Sequence, residues 1–178
     1  MSKEYREKID EVMSQIDYGW VDFRGEKHTE LKGFSKTYAL QLPNELLESK
    51  LGVCWDQVEL ERKLFADAGI DAQAFFIVYY DDDKCPTHTF MLFEEDDKVI
   101  WYEHAWEMFA GWHEFDSWQD AVRTIRDNFI KVEKIDVKNP FNLVVYENYP
   151  APSKKLGCLD FYHHCEKSPH FKPEEEHE

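Results

Sequence analysis

The chain has 178 residues, of which 16% are aromatic, and its 21 Lys and Arg against 37 Asp and Glu give a formal net charge of -16 at pH 7. This acidity argues against a nucleic-acid binder or a protein of anionic membrane surfaces, because both classes depend on basic residues. The aromatic content excludes an acidic disordered chain, which lacks the large apolar side chains of a core. The length fits one domain with a core of its own.

The sequence contains no window of about 18 apolar residues, and its charged, amphipathic start is unlike a secretory signal. Secreted proteins of this size use cysteines as disulfides, whereas cytoplasmic proteins keep them reduced. We therefore expect a cytoplasmic protein with no membrane association, in which Cys54, Cys85, Cys158 and Cys165 are free thiols.

Apolar spacing and turn residues predict the order of helices and strands along the chain. The predicted helices cover residues 2–16, a segment that starts at Pro43, residues 54–68 and residues 117–131, and the predicted strands cover residues 72–80, 87–93, 99–106 and 141–147. Residues 18–42 are expected to be mostly loop. Residues 166–178 have no periodicity and little apolar content, which predicts a disordered acidic tail after a single domain over residues 1–165.

Cys54 stands in the first turn of the helix that follows Gly52. The partial positive charge of first-turn amides favours a thiolate and makes such a cysteine more reactive. A buried, unreactive cysteine is the alternative, and it is the commoner case for a cysteine without partners. The assignment therefore depends on a base near Cys54.

A hairpin supplies that base. The strands at 87–93 and 99–106 are separated by the acidic turn EEDDK, and a turn centred between Glu95 and Asp96 places His88 directly opposite Glu103. A carboxylate beside an imidazole orients the ring and favours its protonated form. Cysteine, histidine and carboxylate are the nucleophile, the general base and acid, and the orienting group of a thiol enzyme.

The ordered segments GVCWDQVELERKLFADAGIDAQAFFIVY at 52–79, THTF at 87–90 and WYE at 101–103 resemble the transglutaminase-like branch of the papain-like cysteine enzymes. The resemblance implies an α+β fold with a papain-like, transglutaminase-like core, in which an antiparallel sheet carries the helix that bears the nucleophile. It implies a catalytic triad of Cys54, His88 and Glu103, although this family usually has aspartate at the third position.

A rival alignment uses the string HAW at 104–106, which also resembles the family's catalytic histidine. It takes His104 as the base and Asp116 as the orienting acid. We favour His88 and Glu103, because the rival needs a further strand between residues 104 and 116, where Ser117 already indicates the start of a helix. His104 would then be a histidine on the opposite face of its strand.

Three further features have weaker functional interpretations. Trp20 resembles the upstream tryptophan whose indole N–H stabilises the oxyanion in eukaryotic transglutaminases, although a core aromatic is the simpler interpretation. The cluster of Cys158, His163, His164 and Cys165 does not have the spacing of a structural zinc site, so no metal is predicted. The acidic run Asp81–Asp83 precedes His88 and would favour a basic substrate, whereas the other acidic runs are solvated.

These observations lead to one functional expectation and one alternative. The first is an enzyme that attacks amide bonds of a protein or peptide substrate through a thioester and needs no cofactor. The acyl group of the thioester is transferred to water in a protease or deamidase and to an amine in a transglutaminase. The alternative is a non-catalytic acidic interaction domain of the same fold, which suits the charge of -16 and the glutamate at 103.

Overall fold

The computed structural model describes residues 3–172. Within this range the α-helices are α1 (Glu4–Met13), α2 (Phe34–Thr37), α3 (Pro43–Ser49), α4 (Cys54–Asp67), α5 (Trp118–Val132) and α6 (Cys158–Glu166), and short 3-10 helices lie at Glu107–Phe109 and Pro140–Asn142. The strands are β1 (Asp17–Tyr18), β2 (Trp20–Val21), β3 (Lys27–His28), β4 (Leu51–Gly52), β5 (Gln73–Tyr79), β6 (Thr87–Glu95), β7 (Lys98–Glu103), β8 (Gly111–Phe115) and β9 (Leu143–Tyr146). None of the helices in the described range combines the length and apolar composition needed to cross a bilayer.

A five-stranded antiparallel sheet organises the mixed α/β structure, with strand order β8-β7-β6-β5-β9. Its central strands, β5 and β6, are apolar on both faces because both faces are covered. Met91 and Phe93 of β6 belong to the core on the α4 side, while Phe90 and Leu92 belong to the core on the α5 side. The sheet therefore separates two hydrophobic cores, and the expected packing of α4 on an antiparallel sheet is confirmed.

The hairpin between β6 and β7 has a different register from the predicted one. Asp96 and Asp97 both have positive φ, 54° and 61°, which is the geometry of a two-residue turn that follows the twist of the strands. This turn pairs Glu95 with Lys98 and Leu92 with Trp101, a shift of two residues. Because side chains alternate with a period of two, the shift leaves every predicted face unchanged.

Two other expectations about the chain need correction. Residues 111–115 form an edge strand, β8, where no strand was expected, although Ser117 does cap α5 as predicted by accepting a hydrogen bond from the Asp120 N–H at 3.1 Å. The tail is ordered as far as the structure describes it. The N–H of Phe171 donates to the Val145 carbonyl at 2.7 Å, and the Phe171 ring packs on Phe75. Residues 173–178 lie outside the described range.

Short pairings before α4 bring the early part of the chain to the start of that helix. β1 runs parallel to β4 and pairs Tyr18 with Gly52, two residues before Cys54. Position 52 has to be glycine, because a Cβ there would lie 2.7 Å from the Leu46 side chain and 2.9 Å from Cβ of Asp56. This close approach fixes the direction in which the chain enters α4.

Candidate active site

Cys54 is the first residue of α4, as the sequence predicts, and Asp56 fixes that helix start. One oxygen of the Asp56 carboxylate accepts from the Val53 N–H at 3.0 Å, and the other accepts from the Tyr38 hydroxyl at 2.7 Å and the Gln41 N–H at 2.9 Å. Burial raises the pKa of Asp56 to about 7, although the three donors favour the charged form. Asp56 thus caps the start of α4 through Val53 and ties residues 38–41 to the helix turn that carries the thiol.

His88 and Glu103 form a fully buried pair. The imidazole Nε2 lies 2.9 Å from Oε2 of Glu103, and the two side chains are 1% and 3% exposed. In the observed register the two residues lie on the same face but diagonally across the strands, rather than directly opposite each other. Residues that are diagonal across two strands are farther apart than residues directly opposite each other. The glutamate side chain at position 103 is one methylene longer than aspartate, and this extra length lets its carboxylate reach His88.

Trp106 holds both members of this pair. Its backbone N–H donates to Oε1 of Glu103 at 2.8 Å, and its ring stacks on the His88 ring with centroids 3.6 Å apart and planes 9° apart. Each oxygen of Glu103 therefore accepts one hydrogen bond, Oε2 from the His88 imidazole and Oε1 from the Trp106 backbone N–H. Trp106 restricts rotation of both side chains, a role that the sequence alone did not indicate.

The pair His88 and Glu103 lies beside the Cys54 thiol because a hydrogen bond links α4 to β6 at the residues adjacent to Cys54 and His88. The indole N–H of Trp55, the residue after Cys54, donates to the hydroxyl of Thr87, the residue before His88, at 3.1 Å. Cys54 and His88 consequently line one cavity of about 190 Å³. Since Nε2 of His88 faces Glu103, Nδ1 is the ring nitrogen left for the thiol.

The charges around His88 favour the imidazolium form. Burial of the ring opposes a positive charge, but the negative charge of Glu103 and hydrogen bonding to Cys54 and Glu103 outweigh it and raise the pKa of His88 to about 10. A histidine with this preference takes up a proton from a neighbouring thiol readily. The arrangement therefore suits a thiolate and imidazolium pair.

A further carboxyl, Glu61, lies in the same buried region two helical turns after Cys54. Burial and the negative charge of Glu103 raise the pKa of Glu61 well above its ordinary value, which favours the neutral acid. Its position on the buried stripe of α4 was visible in the sequence, but its closeness to Glu103 depends on how the helix crosses the sheet. Glu61 and Glu103 show that this acidic chain has carboxyls inside as well as on its surface.

The other sequence-derived candidates are not assembled with Cys54. The Trp20 prediction is not supported, because its indole N–H donates to the Glu30 carbonyl at 2.8 Å and so is already engaged. The rival pair is also separated: Nε2 of His104 lies 3.0 Å from the Ile16 carbonyl, while Asp116 is exposed and pairs with Lys98. These contacts give the rival alignment no support, even though the strand that it required, β8, is present.

One group among residues 3–172 has the spacing to hold a metal ion. Ligand atoms of Asp22, Glu26 and His28 lie within 4.8 Å of one another. Asp22 is already satisfied by His28 at 2.8 Å and by the N–H groups of Arg24 and Glu26, both at 2.9 Å. These hydrogen bonds within residues 22–28 stabilise a turn, which explains why the three side chains lie close together.

The cluster of Cys158, His163, His164 and Cys165 does not form such a group within the described residues. The Cys165 side chain is buried, and burial raises the pKa of its thiol. His164 bonds through Nε2 to the Pro150 carbonyl at 2.7 Å. All four cysteines of the chain are free thiols.

A larger cavity of about 510 Å³ lies between α1 and the C-terminal end of α4, and its lining does not include Cys54, His88 or Glu103. The larger cavity has no cysteine or histidine in its lining, so the chemistry points to the smaller cavity at the other end of α4.

No protein-family model matches the chain, and no curated protein matches it.

Proposed function

We propose that the protein is a cysteine enzyme of papain-like, transglutaminase-like core that attacks amide bonds through a thioester. The single observation that carries the proposal is the buried bond of 2.9 Å between His88 and Glu103 at a cavity that Cys54 also lines. A histidine and a carboxylate are costly to bury, and His88 of this pair lines a cavity that is also lined by the thiol at the start of α4. The resemblance of roughly residues 44–106 to the transglutaminase-like enzymes adds to this support.

The first half of the reaction forms the thioester. Before substrate arrives, the proton of the Cys54 thiol resides on Nδ1 of His88, which is thereby an imidazolium, and the Cys54 thiolate attacks the carbonyl carbon of the substrate amide. The C–N bond then breaks as the imidazolium returns the proton to the leaving nitrogen, so that an amine and an acyl-Cys54 thioester result. Glu103 keeps the ring oriented and stabilises its positive charge throughout.

The second half releases the acyl group. Water or an amine loses a proton to His88 and attacks the thioester carbonyl; the C–S bond then breaks, and the proton returns from His88 to the Cys54 sulfur. Water gives an acid, as in a protease or deamidase, and an amine gives a new amide, as in a transglutaminase. With Trp20 engaged elsewhere, backbone N–H groups in the first turn of α4, including that of Cys54, are the donors available to an oxyanion.

Alkylation by iodoacetamide tests whether Cys54 is activated. Cys54 is 7% exposed, whereas Cys85 is exposed, so access alone would make Cys85 react first. We expect Cys54 to be alkylated at least about tenfold faster than Cys85 near neutral pH, because its thiolate is paired with an imidazolium. Peptide-resolved mass spectrometry measures both rates in one sample.

The matched controls for this test are two histidine variants. His88→Gln should abolish the preference for Cys54, and His104→Gln should preserve it, since His104 is bonded to a backbone carbonyl. A Cys54 rate equal to or below the Cys85 rate in the wild type would contradict the proposal and favour a non-catalytic interaction domain. Loss of the preference in His104→Gln alone would favour the rival alignment.

A further inference from the structure

The lining of the Cys54 cavity combines aromatic surface with a carboxylate. Besides Cys54 and His88, the cavity is lined by Tyr18, Trp106 and Glu133, together with Ala105, Val132 and Thr87. Tyr18 is 54% exposed, a high value for an aromatic side chain at the edge of a cavity. The pairing of β1 with β4 holds Tyr18 beside Gly52 and thereby close to the nucleophile.

Glu133 supplies the negative charge of this lining. It is the C-cap residue of α5, and its side chain is solvent-exposed where the cavity opens. Burial by the surrounding protein raises the pKa of Glu133. The positive charges of His88 and Lys84 act in the opposite direction, so both cations influence its carboxyl. Glu133 is not a member of the triad described above, so its carboxyl can accept from a bound molecule without disturbing the pair of His88 and Glu103.

The loop before β6 adds to the same field. Asp81, Asp82 and Asp83 are exposed in this loop, with Lys84 as the single adjacent cation. The loop ends at Thr87 and His88, which line the cavity, so it approaches the cavity from the side of β6. Negative charges grouped at the mouth of a cleft attract cations and exclude anions.

We propose that Tyr18 and Glu133 form a subsite for a positively charged group of the substrate, placed within one side-chain length of the amide carbonyl that Cys54 attacks. The inference rests on the proposed function, because it assigns a substrate class to the same cavity. A cation at this point would contact the face of an exposed aromatic ring and pair with a carboxylate, two interactions that reinforce each other. A lysine or arginine side chain, or a protonated amine, has this chemistry.

Methanethiosulfonate reagents test the charge preference without a known substrate. Each reagent forms a mixed disulfide with a thiolate and releases methanesulfinate, and reagents are available with a trimethylammonium, a sulfonate or an uncharged methyl group. The rate at Cys54 in the full-length protein is followed by peptide mass spectrometry and divided by the rate of each reagent with 2-mercaptoethanol. We expect the corrected rate of the cationic reagent to exceed that of the anionic reagent by about tenfold at low salt, and the ratio to fall as salt rises.

Substitutions locate the preference in the two residues. Glu133→Gln should lower the ratio of cationic to anionic rates at least threefold, and Tyr18→Leu should lower it about twofold to threefold by removing the aromatic face. Asp127→Asn, which removes an equal charge from an exposed position of α5, should leave the ratio unchanged.

The outcomes separate this inference from the proposed function. If the uncharged reagent modifies Cys54 faster than Cys85 but Glu133→Gln has the wild-type ratio, the subsite is refuted and the nucleophile stands. If the uncharged reagent modifies Cys54 no faster than Cys85, the proposed function fails and the subsite fails with it. A ratio that falls equally in Asp127→Asn would show a general effect of net charge and would also refute the subsite.

Discussion

Replacing Glu103 with glutamine is expected to lower the rate at which Cys54 is acylated by about a hundredfold or more. Glu103 accepts from the His88 ring with one oxygen and from the Trp106 N–H with the other. Glutamine has one carbonyl oxygen, so if that oxygen keeps Trp106, its NH₂ group faces Nε2 of His88. The ring then carries its proton on Nδ1 and cannot accept one from the thiol, an effect known to be large when the acid of a triad becomes an amide.

The rate is measured with p-nitrophenyl acetate, whose acyl group Cys54 should accept with release of p-nitrophenol. Glu107→Gln is the matched control, because it removes an exposed glutamate four residues away and should keep the wild-type rate. Glu103→Asp should also lose at least about tenfold, since aspartate does not span the diagonal between the strands. Wild-type rates in Glu103→Gln would show that Glu103 does not orient the base.

The second large effect is a loss of stability at alkaline pH. The pKa of His88 rises from 6.5 in the unfolded chain to about 10 in the folded protein. The imidazolium therefore contributes fully to the free energy of unfolding below pH 6.5, and that contribution is lost as pH rises through about 10. The shift corresponds to a contribution on the order of a few kcal/mol.

Urea unfolding at a series of pH values between 6.5 and about 10 measures this loss. The wild type and His104→Gln should both show a decline in the free energy of unfolding that His88→Gln lacks in this range. Other buried groups titrate too, so the difference between the two histidine variants isolates His88. Equal slopes in His88→Gln and His104→Gln would mean that His88 is neutral in the folded protein.

The local pattern of the sequence was enough to place the parts of the site on their elements. The helix beginning at Cys54 and the common face of His88 and Glu103 follow from apolar spacing and from the alternation of side chains along strands. The exact pairing of the strands was not predictable, because it depends on which two acidic residues of EEDDK adopt positive φ. The predicted register was wrong by two residues. His88 and Glu103 therefore lie on the same face of the sheet, as predicted, but diagonally across the strands rather than directly opposite each other.

Features that depend on tertiary contacts were missed. Trp106 reaches His88 because the chain turns back after β7, and no periodicity encodes that turn. Residues near 170 looked disordered because they have little apolar content, yet their backbone bonds to β9 and Phe171 completes the core beneath the sheet. β8 is a partly exposed edge strand with weak alternation, so its five residues gave no clear signal.

If Cys54 attacks a carbonyl with the help of His88, an acyl-enzyme on Cys54 forms and can be trapped by quenching in acid. The full chain is mixed with p-nitrophenyl acetate, quenched in acid and mapped by peptide mass spectrometry. We expect one acetyl group, on Cys54, to appear early in the wild type and to be nearly absent in His88→Gln over the same time. Acetylation of Cys85 with Cys54 unmodified, or acetylation of Cys54 at the wild-type rate in His88→Gln, would contradict the account.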